Sequence, residues 1–224
     1  MTKLFSLLTL CLMTVSTVTL SAQKKISNGK VVYEVTDISS DMPEAQMVKG
    51  SELVYFFIGD DQKIDMSMMG GMMRVQSMFQ AKNDTPVVLM DMMGKKVQLD
   101  LSEEEAKMTQ PDMGDIDITY LKSERKEIAG YKCSKAKIDA GEGVTFEVYL
   151  TDRINPEASY FQELFKGIQG FPLQFYVEME GVGLTLTAKS VDGRVDADAF
   201  EVPAGYEKMT AEEFGKSMGG GMGF

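Results

Sequence analysis

Five methionines surround a pair of glycines in the first half of the chain, and their sulfur atoms are well suited to metal-ligand chemistry. Thioethers are soft ligands that suit Cu(I), so a copper site is one interpretation of this methionine cluster. Methionine also fills irregular gaps in cores and lines adaptable binding surfaces. We therefore expect apolar packing or a ligand wall here, with a Cu(I) site as the alternative. The cluster comprises Met66, Met68, Met69, Met72 and Met73 around Gly70 and Gly71.

Histidine and cysteine usage excludes several kinds of site. The chain of 224 residues contains no histidine, so it has no histidine metal ligand and no histidine-based triad. Its two cysteines, Cys11 and Cys133, are too far apart in sequence to form a Cys-x-x-Cys motif. We expect Cys133 to be a buried small hydrophobe, with a reactive thiol or an intermolecular disulfide as the alternative.

Carboxylates and hydroxyl nucleophiles form no recognisable catalytic or metal-binding motif. Two groups of aspartates lack the glycine and the bidentate glutamate of a calcium loop, so we expect solvated acidic segments. A Walker-loop pattern is absent from the sequence, and the Ser-x-x-Lys spacings (such as Ser123 with Lys126) and the Gly-x-Ser-x-Gly spacing at residues 215–219 are not accompanied by a second catalytic motif. We therefore predict a protein that is not an enzyme and has no cofactor. The aspartates are Asp60, Asp61 and Asp65 in one group and Asp112, Asp115 and Asp117 in the other.

The first residues have the pattern of a cleaved signal peptide. Lys3 precedes an apolar run from Leu4 to Val18, and small residues follow up to Ala22. This run is short for a membrane span and ends in a small-residue cleavage site. We expect cleavage after Ala22, a periplasmic location and no transmembrane segment in the mature chain. Secretion or association with the outer membrane is the alternative.

The net charge of the chain limits the classes of partner that it can bind. The chain has 23 basic and 34 acidic residues, which gives a formal net charge of −11. Such a surface repels phosphate backbones, so we expect no nucleic-acid partner. The partners that we expect instead, on the grounds given below, are a hydrophobic small molecule or a lipid, with an envelope protein as the alternative.

Alternation of apolar and polar residues predicts strands along most of the chain. Gly70 and Gly71 indicate a two-residue hairpin turn, because both positions of such a turn need positive φ. Residues 52–101 read as a meander of neighbouring strands. The predicted strands cover residues 31–35, 52–58, 64–68, 73–79, 87–92, 97–101, 118–121, 130–138, 144–150, 173–179 and 184–188, with a last edge contact at Phe200 and Val202.

Apolar residues at helical spacing occur in fewer segments than strand alternation does. Residues 156–168 carry apolar side chains at i, i+4 and i+8 after a proline, which predicts one amphipathic helix. Two capping boxes predict short helices over residues 103–108 and 211–217. The boxes are Ser102 with Glu105 and Thr210 with Glu213.

Together these elements predict a mainly β (α+β) fold. A curved antiparallel sheet of roughly ten strands has one apolar face to bury, and large twisted sheets tend to curl. We therefore predict a half-barrel around the amphipathic helix. The expected organisation is a signal peptide at residues 1–22, a single half-barrel domain at 23–210, and a short helix with a disordered Met/Gly tail at 211–224.

Six segments of the chain carry a family resemblance. They are GKVVYEV at 29–35, KIDMSMMGGMM at 63–73, VVLMDMMGKK at 87–96, IAGYKCSKAKI at 128–138, VYLTDRINP at 148–156 and GFPLQFYVEME at 170–180. These segments resemble an exported domain-of-unknown-function family, DUF4412, which is related to the GLPGLI-type proteins of the Gram-negative envelope. That family is similar in fold to the lipoprotein-carrier (LolA-like) group, whose half-barrels hold acyl chains. The resemblance thus implies a half-barrel and a hydrophobic ligand.

The functional hypothesis that follows is a non-enzymatic periplasmic protein that binds a lipid or another hydrophobic ligand in the concave face of its sheet. A closed-core interaction or structural module of the envelope is the first alternative, because the same apolar residues would also form an ordinary core. A Met-rich Cu(I) binder is the second. The candidate ligand-binding residues are Ile64, Met66, Met68, Val75, Leu89, Phe146, Val148, Leu164, Leu173, Phe175, Val177, Leu184 and Leu186.

Overall fold

Strands dominate the computed structural model of this chain. The structure describes residues 25–39, 46, 48–83, 85–108, 116–141, 144–164, 167–179 and 182–217. The predicted signal peptide and the predicted tail at 218–224 lie outside these residues, and so do Cys11, Asp112 and Asp115. Within the described ranges, no helix is both long enough and apolar enough to cross a membrane.

One sheet holds the twelve strands of the described residues, in the order β12-β6-β5-β4-β3-β2-β1-β11-β10-β9-β8-β7. Every neighbouring pair is antiparallel except β12, which runs parallel to β6. The strands are β1 (Gly29–Ile38), β2 (Glu52–Ile58), β3 (Asp61–Met68), β4 (Met73–Phe79), β5 (Val87–Met92), β6 (Lys95–Asp100), β7 (Asp117–Ile128), β8 (Tyr131–Asp139), β9 (Thr145–Thr151), β10 (Phe171–Met179), β11 (Val182–Asp192) and β12 (Glu207–Thr210).

The mainly β fold class and the meander are confirmed, because β2 to β6 pair in chain order. The predicted strand number and the uniformly antiparallel pairing are wrong. The last edge strand is Glu207–Thr210 and not the contact predicted at Phe200 and Val202. Phe200 instead ends a 3₁₀ turn. The chain first passes through that turn and then returns to the β6 edge in the parallel direction.

The turn at the two glycines also differs from the prediction. Met68 pairs with Met73, so four residues connect β3 to β4 instead of two. Met69, Gly70 and Gly71 form a 3₁₀ turn with φ values of 53°, 67° and 90°. Three successive positive φ angles are costly without glycine, which explains why two glycines stand here.

Both capping boxes form as predicted. The Ser102 N–H donates to Glu105 Oε2 at 2.8 Å, at the start of α1 (Glu103–Met108). The Thr210 N–H donates to Glu213 Oε2 at 2.9 Å, at the start of the last helix. These local hydrogen bonds satisfy backbone donors that a helix start leaves without partners.

The amphipathic helix is shorter than predicted. We label it α2 (Tyr160–Leu164), and the helix after Thr210 is α3 (Ala211–Ser217). Helix α2 begins at Tyr160 and not at Pro156, and the Tyr160 N–H donates to Gln62 Oε1 of the sheet. Backbone bonds also join the preceding segment to Ile26: the Ile26 N–H donates to Arg153 O at 2.9 Å and the Asn155 N–H to Ile26 O at 2.9 Å. These bonds hold the chain extended just before Pro156.

The two faces of the sheet are covered by different parts of the chain. On the inner face, α2 lies over the main core, and Phe214 of α3 packs into a smaller cluster with Val88, Val97 and Leu99. On the outer face, the Lys63 ammonium donates to Ala199 O at 2.9 Å, within the segment that leads to β12. We call residues 193–206 the strap.

Phe214 provides a test of this arrangement. Phe214→Ala should lower the free energy of unfolding by about 3–5 kcal/mol, because loss of a fully buried ring leaves a cavity in the smaller cluster. Urea unfolding followed by circular dichroism measures the change. Lys216→Ala, on the exposed side of the same helix, is the matched control and should change it by less than about 0.5 kcal/mol. Equal effects of the two substitutions would contradict the placement of α3.

Candidate ligand-binding pocket

An apolar pocket of about 640 Å³ opens on the inner face of the sheet, beneath α2. It lies where the ends of β1, β3 and β10 meet the starts of β2, β4 and β11. Apolar concavities of roughly 300–1,000 Å³ are typical of small-molecule sites. The described residues that line it are Val35, Val48, Ser51, Glu52, Leu53, Ile64, Met66, Met68, Met73, Tyr160, Phe161, Leu164, Phe175, Val177, Val182, Leu184 and Leu186.

Strand register explains why these side chains converge. Leu53 pairs with Met66, and Met68 pairs with Met73, so two neighbouring rows of the lining extend over β2, β3 and β4. On the other side, Phe175 pairs with Leu186 and Val177 with Leu184. Directly opposite residues of neighbouring strands point to the same face. The alternation of apolar residues along each strand therefore produces one continuous wall.

Phe161 holds α2 against the sheet. Its ring centroid lies 5.1 Å from that of Tyr55, 5.1 Å from Phe175, 5.4 Å from Phe171 and 6.2 Å from Tyr33. Edge-to-face and tilted ring pairs at these separations are favourable. Phe161 is 3% exposed, so the helix is anchored by a side chain that is almost completely buried.

Gln62 ties the first turn of α2 to the sheet. Its Oε1 accepts a hydrogen bond from the Tyr55 hydroxyl at 2.5 Å and another from the Tyr160 backbone N–H. Gln62 is 5% exposed, so these bonds lie out of water. A five-residue helix has little stability of its own, and such tertiary contacts determine where it sits.

Eight of the thirteen predicted site residues line this pocket. Val75, by contrast, packs with the smaller cluster on the same face, beyond the pocket. Phe146, Val148 and Leu173 are buried in the main core and do not reach the cavity. The eight are Ile64, Met66, Met68, Leu164, Phe175, Val177, Leu184 and Leu186.

The placement of Leu89 on the concave face is wrong. Met90 pairs with Val75, which in turn pairs with the lining residue Met66, whereas Leu89 pairs with Gln76. Neighbouring residues of a strand point to opposite faces, so Leu89 belongs to the outer face. It is completely buried there, on the side of the sheet that carries the strap. Burial alone therefore could not identify its face.

Sequence reasoning missed nine lining residues. Val35, Leu53 and Met73 share the alternation that identified their neighbours, and Tyr160 and Phe161 belong to the predicted helix. Val182 follows the last hairpin turn, and Glu52 begins β2. Val48 and Ser51 lie between strands, where no periodic signal marks them. Only the tertiary fold brings that segment to the pocket.

The methionine cluster divides between the pocket and the turn. Met66, Met68 and Met73 line the pocket. Met69 and Met72 lie in and after the 3₁₀ turn, and Met72 is 54% exposed. Three of the five thioethers thus border one cavity, where their flexible side chains form part of an apolar wall.

Two other chemically reactive side chains, those of Cys133 and Asp65, have structural roles. Burial raises the pKa of the Cys133 thiol to about 12, which confirms the prediction of a buried hydrophobe. Asp65, from the predicted acidic group, accepts two hydrogen bonds from the Arg74 guanidinium, at 2.8 and 2.6 Å, and these bonds raise the pKa of Arg74. No group of three histidine, cysteine or carboxylate residues that could hold a metal occurs in the described part of the chain.

A larger concavity, of about 750 Å³, lies along β7 and β8. Its lining includes Lys122, Arg125, Glu127 and Lys132, all of which are exposed. Ligand pockets are mostly apolar with a few placed polar groups, whereas this groove carries several exposed charged side chains. We therefore take the pocket beneath α2 as the candidate site.

Comparison with known proteins gives one match. A family model described as "Domain of unknown function (DUF4412)" matches residues 38–165, which is more than half of the chain. No curated protein matches the chain. The matched range includes β2 to β9 and α2, and therefore much of the pocket lining.

The hydrogen bonds that Gln62 accepts can be tested by substitution. Gln62→Met keeps the size of the side chain and removes the acceptor shared by the Tyr55 hydroxyl and the Tyr160 N–H. We expect the free energy of unfolding to fall by about 1–3 kcal/mol, because these buried donors lose that bond. Gln162→Met, on the exposed side of α2, is the control and should cost less than about 0.5 kcal/mol. Indistinguishable urea midpoints for the two variants would argue against the anchoring role of Gln62.

Proposed function

The chain belongs to the DUF4412 family, a domain of unknown function, and we propose that it binds a lipid or another hydrophobic molecule in the pocket beneath α2. The observation that carries this proposal is the apolar cavity of about 640 Å³ between sheet and helix. An acyl chain that enters such a cavity gains about 0.8 kcal/mol per buried methylene. In this proposal the protein is a binding protein and not an enzyme.

A half-barrel shape is part of the proposal. Tyr120 of β7 packs against the main core, and its hydroxyl accepts a hydrogen bond at 2.7 Å from the Gln169 N–H, just before β10. In a flat sheet β7 and β10 would be about 14 Å apart, which is beyond the reach of a tyrosine side chain. This contact supports a sheet that curls towards its β7 edge, as in the lipoprotein-carrier (LolA-like) folds that hold acyl chains.

The lining chemistry favours an adaptable ligand wall. Met66, Met68 and Met73 contribute flexible, polarizable side chains to one side of the pocket. Methionine-rich surfaces accommodate ligands of different shapes, because the thioether side chain has three rotatable bonds. The opposite side is formed by Phe175 and Leu186, which are almost fully buried and therefore rigid.

We further propose that the protein is exported to the periplasm, with secretion or outer-membrane association as the alternative. The basic residue, short apolar run and small residues at the start of the sequence support this location. A hydrophobic-ligand carrier in that compartment would move molecules with low solubility through water between two membranes.

Two other functions compete with this proposal. A closed-core interaction module would have no ligand in the pocket and would use the surface of the protein instead. A Cu(I) site would use thioethers that border the cavity, and the shared position of Met66, Met68 and Met73 is the observation in its favour. The closed-core module predicts an empty pocket, and the Cu(I) site predicts a bound copper ion.

Val177 tests the binding proposal, because it lines the pocket and is only partly buried. Val177→Glu places a carboxylate in the cavity, and we expect it to weaken binding of the neutral dye N-phenylnaphthylamine by at least about tenfold. Fluorescence titration of the purified protein measures the affinity. Loss of binding in a variant with unchanged circular dichroism would identify the pocket as the site.

Val191→Glu is the matched control for this experiment. Val191 is also a partly buried valine packed against the main core, but it lies outside the pocket lining. Its substitution should leave dye binding within about twofold of the unaltered protein. A folded, unaltered protein that does not bind the dye would favour the closed-core module.

Native mass spectrometry tests both the presence of a bound ligand and the export of the protein. Protein exported by a Gram-negative host should begin at Gln23 and carry an excess mass that organic solvent removes and that fragments as a lipid. An excess equal to bound copper would favour the Cu(I) alternative. An intact, folded chain with no excess mass would contradict a tightly bound lipid cargo.

A further inference from the structure

One buried hydroxyl lies in the lining of the apolar pocket. Ser51 is 7% exposed, and its Oγ is buried without a hydrogen-bond partner in the described part of the chain. Its backbone is satisfied, because the Ser51 N–H donates to Val48 O at 3.0 Å and its carbonyl accepts from the Val35 N–H at 3.4 Å. Buried polar groups are nearly always hydrogen-bonded in native proteins, so this hydroxyl requires an explanation.

The position of Ser51 allows a ligand to supply the missing partner. Its backbone bonds hold the residue at the pocket, immediately before the first residue of β2. A serine side chain has three staggered rotamers about Cα–Cβ, so one bond rotation changes the direction of the hydroxyl without moving the backbone. The hydroxyl can donate to a carbonyl oxygen or accept from a hydroxyl group.

Charge at the pocket limits what that partner can be. Glu52 is the one charged residue among the described residues of the lining, and it is the chain neighbour of Ser51. No lysine or arginine among those residues could compensate an anionic head group. A carboxylate bound at the Ser51 hydroxyl would therefore find no cation among these residues to pair with, in a chain with a net charge of −11.

We propose that the pocket takes an acyl or alkyl chain with an uncharged polar head, such as an ester or a hydroxyl group, and that this head hydrogen-bonds to Ser51. Free fatty-acid anions are selected against, because the described residues of the lining include no lysine or arginine to pair with them. The inference rests on the proposed function and names the ligand class of the same site.

The experiment compares three lauryl compounds as competitors of N-phenylnaphthylamine at neutral pH. Monolaurin is uncharged, laurate is an anion and dodecylamine is a cation, and all three carry the same length of chain. We expect monolaurin to displace the dye at a concentration at least about tenfold below that of laurate, and below that of dodecylamine. The comparison uses the full mature chain.

Two substitutions separate the roles of the neighbouring residues. Ser51→Ala should weaken monolaurin binding by about fivefold and leave laurate unchanged, because it removes one hydrogen bond to the uncharged head. Glu52→Gln should leave both affinities within about twofold of the unaltered protein, because Glu52 neighbours the lining residue Leu53 in β2 and its side chain therefore belongs to the outer face. Ser190→Ala and Glu207→Gln are the controls, since both residues are exposed and lie outside the pocket lining. Neither control should change any of the three affinities.

The outcomes distinguish this inference from the function on which it depends. Absence of dye binding by the folded protein would overturn both. Dye binding with laurate or dodecylamine as the stronger competitor would overturn the ligand class and leave the hydrophobic pocket standing. A Ser51→Ala variant that binds monolaurin as tightly as the unaltered protein would overturn the role of the hydroxyl.

Discussion

The insertion of one aromatic side chain between helix and sheet organises the inner face of this protein. Phe161 lies within ring-contact distance of aromatic residues on β1, β2 and β10, and α2 contains only five residues. A helix of this length is unstable by itself, so the ring contacts determine its position. The hydrogen bond that Gln62 Oε1 accepts from the Tyr160 N–H also orients the first turn of α2. The roof of the pocket therefore depends on packing and not on helix propensity.

A short roof divides the inner face into three regions. The main core lies under and beside Phe161, the smaller cluster lies under Phe214 at the β6 end, and the pocket lies between them. Among the described residues, α2 and Phe214 of α3 pack on this face, and the pocket opens beneath α2. Met66, Met68 and Met73 line one side of it, where adaptable side chains suit a ligand wall.

Buried residues also occur on the outer face of the sheet, so burial does not show that a residue faces the pocket. Leu89 and Gln76 are both completely or almost completely buried, although they point away from the pocket. The strap provides cover on that side, and the Lys63 ammonium donates to its Ala199 carbonyl. Burial lowers the pKa of Lys63, which reflects the cost of placing a charge under the strap. Both faces of β3 to β5 are therefore partly apolar, and the alternation along β5 is ambiguous.

By itself, the sequence determined the features that depend on local spacing. The strand alternation, the meander from β2 to β6 and the two capping boxes all follow from neighbouring residue types. Seven of the eight predicted residues that line the pocket were identified because period-2 patterns assign a face to each side chain, and Leu164 was identified by the helical period. The tertiary structure alone decided the length of α2, the parallel pairing of β12 and the outer position of Leu89. It also brought Val48 and Ser51 to the pocket. These features rest on contacts between residues distant in the chain, such as Gln62 with Tyr160 and Lys63 with Ala199, and spacing between neighbours carries no record of them.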